Sequence, residues 1–202
     1  LDLTSGEIVK LENVKSQRMI GDSDLLAIHY NKPEPKKKSK KGDDKKAGDA
    51  KPSKKKGGAE EKASKKAPEK KVDPKEAKRS DGSKLVLRNL ATGKDETIEH
   101  VRAFGTLADN KWLWYTIGTK KKTEGVEHGL FARELSSGVT VNVLAGYSNV
   151  SGMTTDQADK VLAFASDIRT FGDKKTALEL YLWNFSEKPA HRIVDAKTAG
   201  IP

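Results

Sequence analysis

A repeat of 45 to 50 residues runs through the chain and limits the folds that it can adopt. In each copy a short apolar strand is followed by a turn and a second strand, in residues 84–99, 129–144 and 179–194. The equivalent leucines Leu85, Leu130 and Leu180 lie 45 and 50 residues apart. Each copy alternates apolar and polar residues around a Gly or Ser turn, which is typical of a β-hairpin.

A second repeated element, a polar turn followed by a mostly apolar strand, lies next to each hairpin. It occupies residues 19–30, 104–116 and 153–165, and its equivalent lysines Lys111 and Lys160 are 49 residues apart. The strands near 112–116 and 161–165 are apolar on both faces, as expected for strands packed between two sheets. A period of this length with four strands per unit predicts β-propeller blades, since β-sandwiches have no fixed sequence period.

The sequence therefore predicts an all-β fold, a partial β-propeller of about three four-stranded antiparallel blades with a leading hairpin. We assign residues 1–13 to the closing hairpin of a preceding blade, 14–99, 100–146 and 147–198 to three blades, and 199–202 to the start of another. In the third blade the strands are expected near 150–154, 160–165, 178–185 and 192–194. The long loops, 31–83, 118–128 and 166–177, then emerge on one face together with the crossovers between blades.

The first of these loops contains a lysine-rich tract, residues 32–82, which accounts for the net charge of the chain. It holds 20 of the 39 Lys and Arg residues but 10 of the 29 Asp and Glu, and this surplus equals the net charge of +10. Between positions 33 and 82 the only aliphatic side chain larger than alanine is Val72. Such a segment cannot bury enough apolar surface to offset its ordering entropy, so we expect a long disordered loop.

Two features of this tract argue against nucleic-acid binding. Acidic residues are interleaved with the lysines, as at Asp43, Asp44, Glu60 and Glu61, and residues 31–101 contain no Phe, Trp or Tyr to stack on bases. The preferred interpretation is a solvated, flexible loop, while an electrostatic tether to an acidic surface or a membrane stays open. The sequence contains no apolar run of the roughly 20 residues that span a bilayer.

Residues 85–94 and 179–184 each contain a Leu-Tyr-Leu-like strand, which a Thr-Gly turn follows in the first of them. Residues 104–116 contain an Asp-containing turn before an apolar strand. In these features the chain resembles the propeller blades of the prolyl oligopeptidase family of serine peptidases. Residues 85–94 and 161–167 are most similar to large bacterial members, and the likeness covers nearly all of the chain outside 32–82. The turns at 106–111 and 154–160 depart from the family pattern because they lack its Pro and Gly.

The resemblance implies a regulatory propeller that caps the active site of a separate α/β-hydrolase domain and limits access to small or unfolded peptides. Acyl transfer would be carried out by the Ser-His-Asp triad of that domain. On this interpretation the chain is a fragment without catalytic, cofactor-binding or metal-binding residues, and its partners are the hydrolase domain and a peptide substrate. The alternative is a TolB-like or WD-type propeller that acts as a protein-interaction scaffold. Whether the parent protein is an enzyme, and in which compartment it works, stays open.

The remaining candidates for function are histidines, tryptophans and turn residues. Histidines occur on or beside predicted strands without metal-ligand spacing, and ordinary strand or surface roles are predicted for His29, His100, His128 and His191. The chain contains no cysteine, which excludes thiolate ligands and Cys nucleophiles.

Large apolar rings are needed between blades, so a packing role is predicted for Trp112, Trp114 and Trp183. Residues 146–150 lack the second glycine of a G-x-S-x-G nucleophile elbow and are interpreted as a linker turn. Gly93 and Gly138 are interpreted as turn glycines.

Overall fold

Antiparallel β-strands make up the ordered framework of the protein. The computed structural model describes residues 10–21, 24–32, 78–121, 123–186, 188–195 and 198, and none of these residues is helical. Their strands are β1 (Val14–Met19), β2 (Leu25–Tyr30), β3 (Ser83–Asn89), β4 (Asp95–Leu107), β5 (Trp112–Ile117), β6 (Gly129–Glu134), β7 (Thr140–Ala145), β8 (Val150–Thr155), β9 (Leu162–Ser166), β10 (Glu179–Trp183) and β11 (His191–Val194). The all-β, partial-propeller class predicted from the sequence is confirmed.

The strands form three four-stranded units, which we call blades 1, 2 and 3. Blade 1 consists of β1, β2, β3 and the first part of β4, and blade 2 consists of the second part of β4 with β5, β6 and β7. Blade 3 is a separate sheet of β8 to β11. Its strands agree with the sequence prediction to within two residues at each end.

The described strands belong to one compact unit, Leu1–Lys32 with Val72–Pro202, while the other unit is Pro33–Lys71. The disordered loop predicted for residues 32–82 lies outside the described residues, except for residue 32 and residues 78–82. The predicted leading hairpin and the predicted start of a further blade also lie largely outside them. These predictions therefore stay predictions.

A single strand, β4, belongs to two blades because its extended backbone conformation is interrupted at His100, and we call this interruption the break. Residues 95–98 pair with β3 and residues 103–107 pair with β5, while Val101 pairs with both, opposite Ser83 and Ile117. His100 has a φ of 61°, a left-handed conformation that is uncommon for a residue other than glycine. This break turns the outer strand of blade 1 into the inner strand of blade 2 without an intervening loop.

Two glycines allow the chain to close around this break. The amide of Gly82 donates to the carbonyl of Gly118 at 2.7 Å, and the amide of Gly118 donates to the carbonyl of His100 at 3.0 Å. A Cβ atom at Gly82 would lie 1.9 Å from the His100 carbonyl oxygen, and one at Gly118 would lie 2.5 Å from Cδ of Arg102. The backbone of His100 therefore requires a residue without a side chain at 82, and the side chains of Arg102 and Tyr147 leave no room for a Cβ atom at 118.

Apolar side chains fill the two spaces between consecutive blades. Between blades 1 and 2 the buried residues are Ile20, Ala27, Leu85, Leu87, Val101, Leu113, Tyr115 and Phe131. Between blades 2 and 3 they are Leu107, Ala108, Leu130, Ala132, Val141, Val143, Leu144, Leu162, Phe164, Tyr181 and Trp183. Blade 2 is apolar on both faces because it is packed on both sides.

The sequence repeat reappears as a repeated cross-strand pair. In blade 2, Tyr115 lies opposite Phe131 and their rings stack at 5.6 Å between centroids. In blade 3 the equivalent pair, Phe164 and Tyr181, stacks at 5.5 Å. The corresponding pair in blade 1 is Ile28 opposite Val86. Each pair joins the second and third strands of its blade at equivalent positions, so these two strands pair in the same register in every blade.

The tight turns also follow the sequence prediction in part. Gly93 and Gly138 close hairpins by donating to the carbonyls of Asn89 and Glu134, at 2.8 and 2.9 Å. The turn before β5 lacks glycine, and its residues Asp109 and Asn110 themselves adopt φ values of 49° and 65°. Asp and Asn tolerate this conformation better than most residues and occupy two of the three left-handed positions of the turn, while the third is Ala108, with a φ of 50°.

The packing between blades gives a first prediction. Leu130→Ala should lower the free energy of unfolding by about 2 to 5 kcal/mol, because Leu130 is fully buried between blades 2 and 3. The control Leu90→Ala, at a position that is 49% exposed, should change it by less than about 0.5 kcal/mol. Urea denaturation followed by tryptophan fluorescence measures both values, and equal effects would contradict this description of the core.

The left-handed break gives a second prediction. His100→Gly should match or exceed the wild type in stability, whereas the β-branched His100→Val should be about 1 to 2 kcal/mol less stable than His100→Gly. The control Glu99→Val places the same residue one position earlier, on the extended strand, and should not carry this penalty. Urea denaturation of the three variants tests the break, and a His100→Val as stable as His100→Gly would contradict it.

Candidate functional site

The long loops meet on one face of the blades, around the side chain of Tyr147. The residues come from the end of the first loop, from β4, from the β5–β6 and β9–β10 loops, and from the crossover between β7 and β8. We call this group the Tyr147 cluster, and its members are Arg79, Ser80, Arg102, His128, Tyr147 and Phe171. For the described residues of these loops, the contacts agree with the sequence prediction that the loops share one face, while residues 33–77 of the first loop lie outside the described residues.

The Tyr147 hydroxyl fastens the chain where it leaves the first loop. It accepts a hydrogen bond from the amide of Ser80 at 2.7 Å and donates one to the carbonyl of Ser80 at 3.1 Å. Tyr147 itself is buried, with 7% of its surface exposed. Ser80, just before blade 1's strand β3, is thereby held to the crossover between blades 2 and 3, although the two residues are 67 positions apart in sequence.

The Tyr147 ring is surrounded by cations and aromatic rings. The guanidinium carbon of Arg102 lies 4.4 Å from the ring centroid, and that of Arg79 lies 5.4 Å from it. The rings of Phe171 and His128 lie 4.7 and 5.4 Å away, the second edge-on. Cation–π attraction of this kind holds flexible arginine side chains in defined positions.

Arg102 is further fixed by blade 3. It donates to the carbonyl of Ser148 at 2.7 Å and to the side-chain oxygen of Asn149 at 2.8 Å. Asn149 in turn donates its amide and side-chain nitrogens to the buried carboxylate of Asp167, at 2.7 and 2.8 Å. This chain of hydrogen bonds links the two sheets on the face of the long loops.

His128 is held in one orientation and is difficult to protonate. The Thr119 hydroxyl donates to the carbonyl of Lys121, which leaves it to accept from Nε2 of His128 at 2.8 Å. Burial lowers the pKa of His128, and the positive charges of Arg79, His100 and Arg102 lower this pKa further.

An open groove lies beside the cluster, between blades 1 and 2. Its volume is about 470 Å³, and His100 lines it. The floor is mainly apolar and two glutamates lie on the rim; the other lining residues are Thr97, Ile98, Glu99, Ile117, Gly125, Val126, Glu127 and Phe131. A groove of this size can take a peptide side chain.

The remaining histidines serve the framework or lie on the surface. His29 is buried in β2, and its Nε2 lies 3.0 Å from the carbonyl oxygen of Val101 and 2.9 Å from the Ser83 hydroxyl. Burial lowers its pKa, and the nearby charge of Lys15 acts in the same direction. His191 is exposed at the start of β11. Within the described ranges, no three His, Asp or Glu residues are grouped so as to hold a metal ion.

The tryptophans pack between the blades, as predicted. Trp112 of blade 2 contacts Trp183 of blade 3 edge-on at 5.2 Å, and both contact Phe185. Trp114 packs against the same core. The indole nitrogen of Trp183 donates to two backbone carbonyls, so this ring is satisfied within the fold.

A second polar group lies within blade 3. The buried carboxylate of Glu179 accepts hydrogen bonds from Tyr181 and Arg192, both at 2.9 Å. Burial and this carboxylate raise the pKa of Tyr181 to about 12. Because its partners lie on β10 and β11, this group joins adjacent strands and has a structural role.

The sequence interpretation of residues 146–150 as a linker turn missed the importance of Tyr147. The segment does connect β7 and β8, but Tyr147 is also the centre of the cluster. Arg79 and Arg102 were missed as well, since one ends a lysine-rich tract and the other lies in a charged strand. The one local signal for the cluster is Tyr147 itself, because a simple linker does not need an aromatic residue.

None of the described segments forms a helix long and apolar enough to cross a membrane.

Comparisons with known proteins place few limits on function. The sequence matches no family model and no curated protein. Among solved structures, the chain is similar to the β-propeller domain of the trilobed protease from Pyrococcus furiosus, which is described as having an open velcro topology. The sequence identity is 10% and the TM-score is 0.48, over 93% of this chain and 44% of that one. The chain thus spans less than half the length of that structure.

The depressed histidine pKa values predict how stability depends on pH. His128 and His29 bind protons more weakly in the folded than in the unfolded protein, so the free energy of unfolding should fall as the pH drops through about 6.5. His128→Gln should reduce this loss, whereas Leu90→Ala, which removes no titrating group, should preserve it. Urea denaturation between pH 7.5 and 5.5 measures the effect, and a stability that rises on acidification would contradict it.

Proposed function

We propose that this chain is a non-catalytic propeller segment of a serine oligopeptidase, and that it controls the access of peptides to a separate α/β-hydrolase domain. The observation that carries the proposal is the succession of four-stranded blades with the sequence pattern of the prolyl oligopeptidase family. The buried residues of this chain serve to pack the blades against one another. The peptide substrate and the hydrolase domain are the proposed partners.

The exposed face of blade 3 supports the place of this segment in a larger propeller. On blade 2, the face formed by Leu130 and Ala132 is buried against blade 3. The equivalent face of blade 3 carries Leu180 and Leu182, which are half-buried, and Ile193, which is 42% exposed. Since each blade covers the corresponding face of the one before it, a further blade of the same pattern is the proposed occupant.

The arrangement of the loops supports a role in controlling access. Described residues from each of the three long loops meet in the Tyr147 cluster, and its hydrogen bonds join the segment that enters β3 to the crossover between blades 2 and 3. A face stiffened in this way can exclude folded proteins from a site behind it while peptides pass. Gating of this kind depends on the blades staying packed together.

The proposal is tested with the natural protein that contains this chain. A fluorophosphonate probe should label a serine outside residues 1–202, and the protein should cleave short peptides but not folded proteins. Leu130→Ala, which loosens blades 2 and 3, should raise the cleavage of a protein substrate relative to a short peptide. The matched control Leu90→Ala should leave this ratio unchanged.

Two results would contradict the proposal. A parent protein that the probe does not label would favour the scaffold alternative, and partners captured by its propeller should then be sought. A labelled enzyme whose preference for short peptides survives removal of residues 1–202 would show that the propeller does not control access.

A further inference from the structure

Arg79 is a cation without a partner among the described residues. Its Nε is buried and makes no hydrogen bond, although the side chain as a whole is only half-buried. No carboxylate of the described residues pairs with it. A buried donor that is left unsatisfied costs free energy, and more so when it belongs to a charged group. The Tyr147 ring keeps the guanidinium in place despite this cost.

Other arginines of the fold show what Arg79 lacks. Arg88 donates to both carboxylate oxygens of Asp95 at 2.7 Å, in a two-pronged pair. Arg192 pairs with Glu179 in the same fold. Arg102, by contrast, uses two of its N–H groups for neutral oxygens and has no carboxylate partner among the described residues. Arg79 and Arg102 therefore bring two uncompensated guanidinium groups to one aromatic ring.

Two carboxylates on the neighbouring loops are committed elsewhere. One oxygen of Asp81 accepts from the amide of Lys120 at 2.6 Å, and both oxygens of Asp167 accept from Asn149. Lys78 adds a further positive charge nearby, with its Nζ donating to the carbonyl of Asp173. Burial lowers the pKa of His128, and the charges of Arg79 and Arg102 lower this pKa further.

We infer that Arg79 and Arg102 form a binding site for a carboxylate group on the face of the long loops. The guanidinium edge that includes Nε matches a carboxylate in a two-pronged pair, as Arg88 already shows with Asp95. A ligand carboxylate would reach Arg79 from its exposed side, and a small rotation of the side chain would bring Nε into the pair. The inference does not depend on the proposed peptidase role, because it concerns binding by this chain alone.

The carboxylate could belong to the free C-terminus of a peptide or to an acidic side chain, and the experiment separates these sources. NMR of the His128 ring in the full chain would follow titration with four probes at equal ionic strength. They are acetyl-trialanine with a free carboxylate, its C-terminal amide, an amidated peptide with one Glu, and inorganic phosphate. The ring signal of buried His29 reports that the fold is intact.

The expected result is a saturable shift of the His128 signal with at least one carboxylate peptide and none with the amide. Binding should also raise the pKa of His128, because the bound anion offsets the positive field. Arg79→Gln should weaken binding about tenfold or more, and Arg79→Lys should weaken it less. The matched control Arg88→Gln, whose arginine already has a partner in Asp95, should bind as the wild type does.

Several results would overturn the inference. These are the absence of a response to both carboxylate peptides, tighter binding of phosphate than of either, or unchanged binding in Arg79→Gln. If Arg79→Gln loses the native His29 signal, the comparison of Arg79→Lys with Arg88→Gln decides, and equal affinities would overturn it. Binding of the Glu peptide alone would support the site and assign the carboxylate to a side chain of a protein partner.

Discussion

The left-handed break at His100 is the constraint on which the arrangement of blades 1 and 2 depends. It separates the part of β4 that pairs with β3 alone from the part that pairs with β5, with Val101 paired to both, so that two blades share one continuous strand. Gly82, just before β3, and Gly118, just after β5, both lie close to the carbonyl of His100. The start of β3 and the end of β5 are therefore found at the break. The positions of the long loops follow from it, since two of them begin or end there.

Stability comes mainly from side chains packed between blades, because a single four-stranded sheet has no core of its own. The repeated cross-strand pairs give each blade the same apolar face, and consecutive faces fit because their registers agree. Blade 2 is buried on both sides, whereas the second face of blade 3 keeps a leucine-rich surface partly exposed. This difference between equivalent faces is the strongest structural support for a larger propeller.

The face of the long loops combines rigidity with positive charge. Tyr147 joins segments that are distant in sequence, and it also orders two arginines that have no acidic partner among the described residues. Four other arginines of this fold, Arg88, Arg133, Arg169 and Arg192, do pair with Asp95, Glu96 or Glu179. The proposed control of peptide access and the inferred carboxylate site use the same face but rest on different observations, the blade pattern for one and the unpaired cations for the other.

The sequence by itself determined the fold class, the strands of blade 3, the turn glycines and the packing role of the tryptophans. The strands and turns follow from alternation and turn residues, which act over a few positions, and the fold class and the role of the tryptophans follow from the repeat of 45 to 50 residues. Only the tertiary structure decided that β4 joins two blades and that residues 79, 102, 128, 147 and 171 meet. The reason is physical: such a cluster is built from loops whose meeting point is set by blade packing, and no local pattern encodes contacts between positions so far apart.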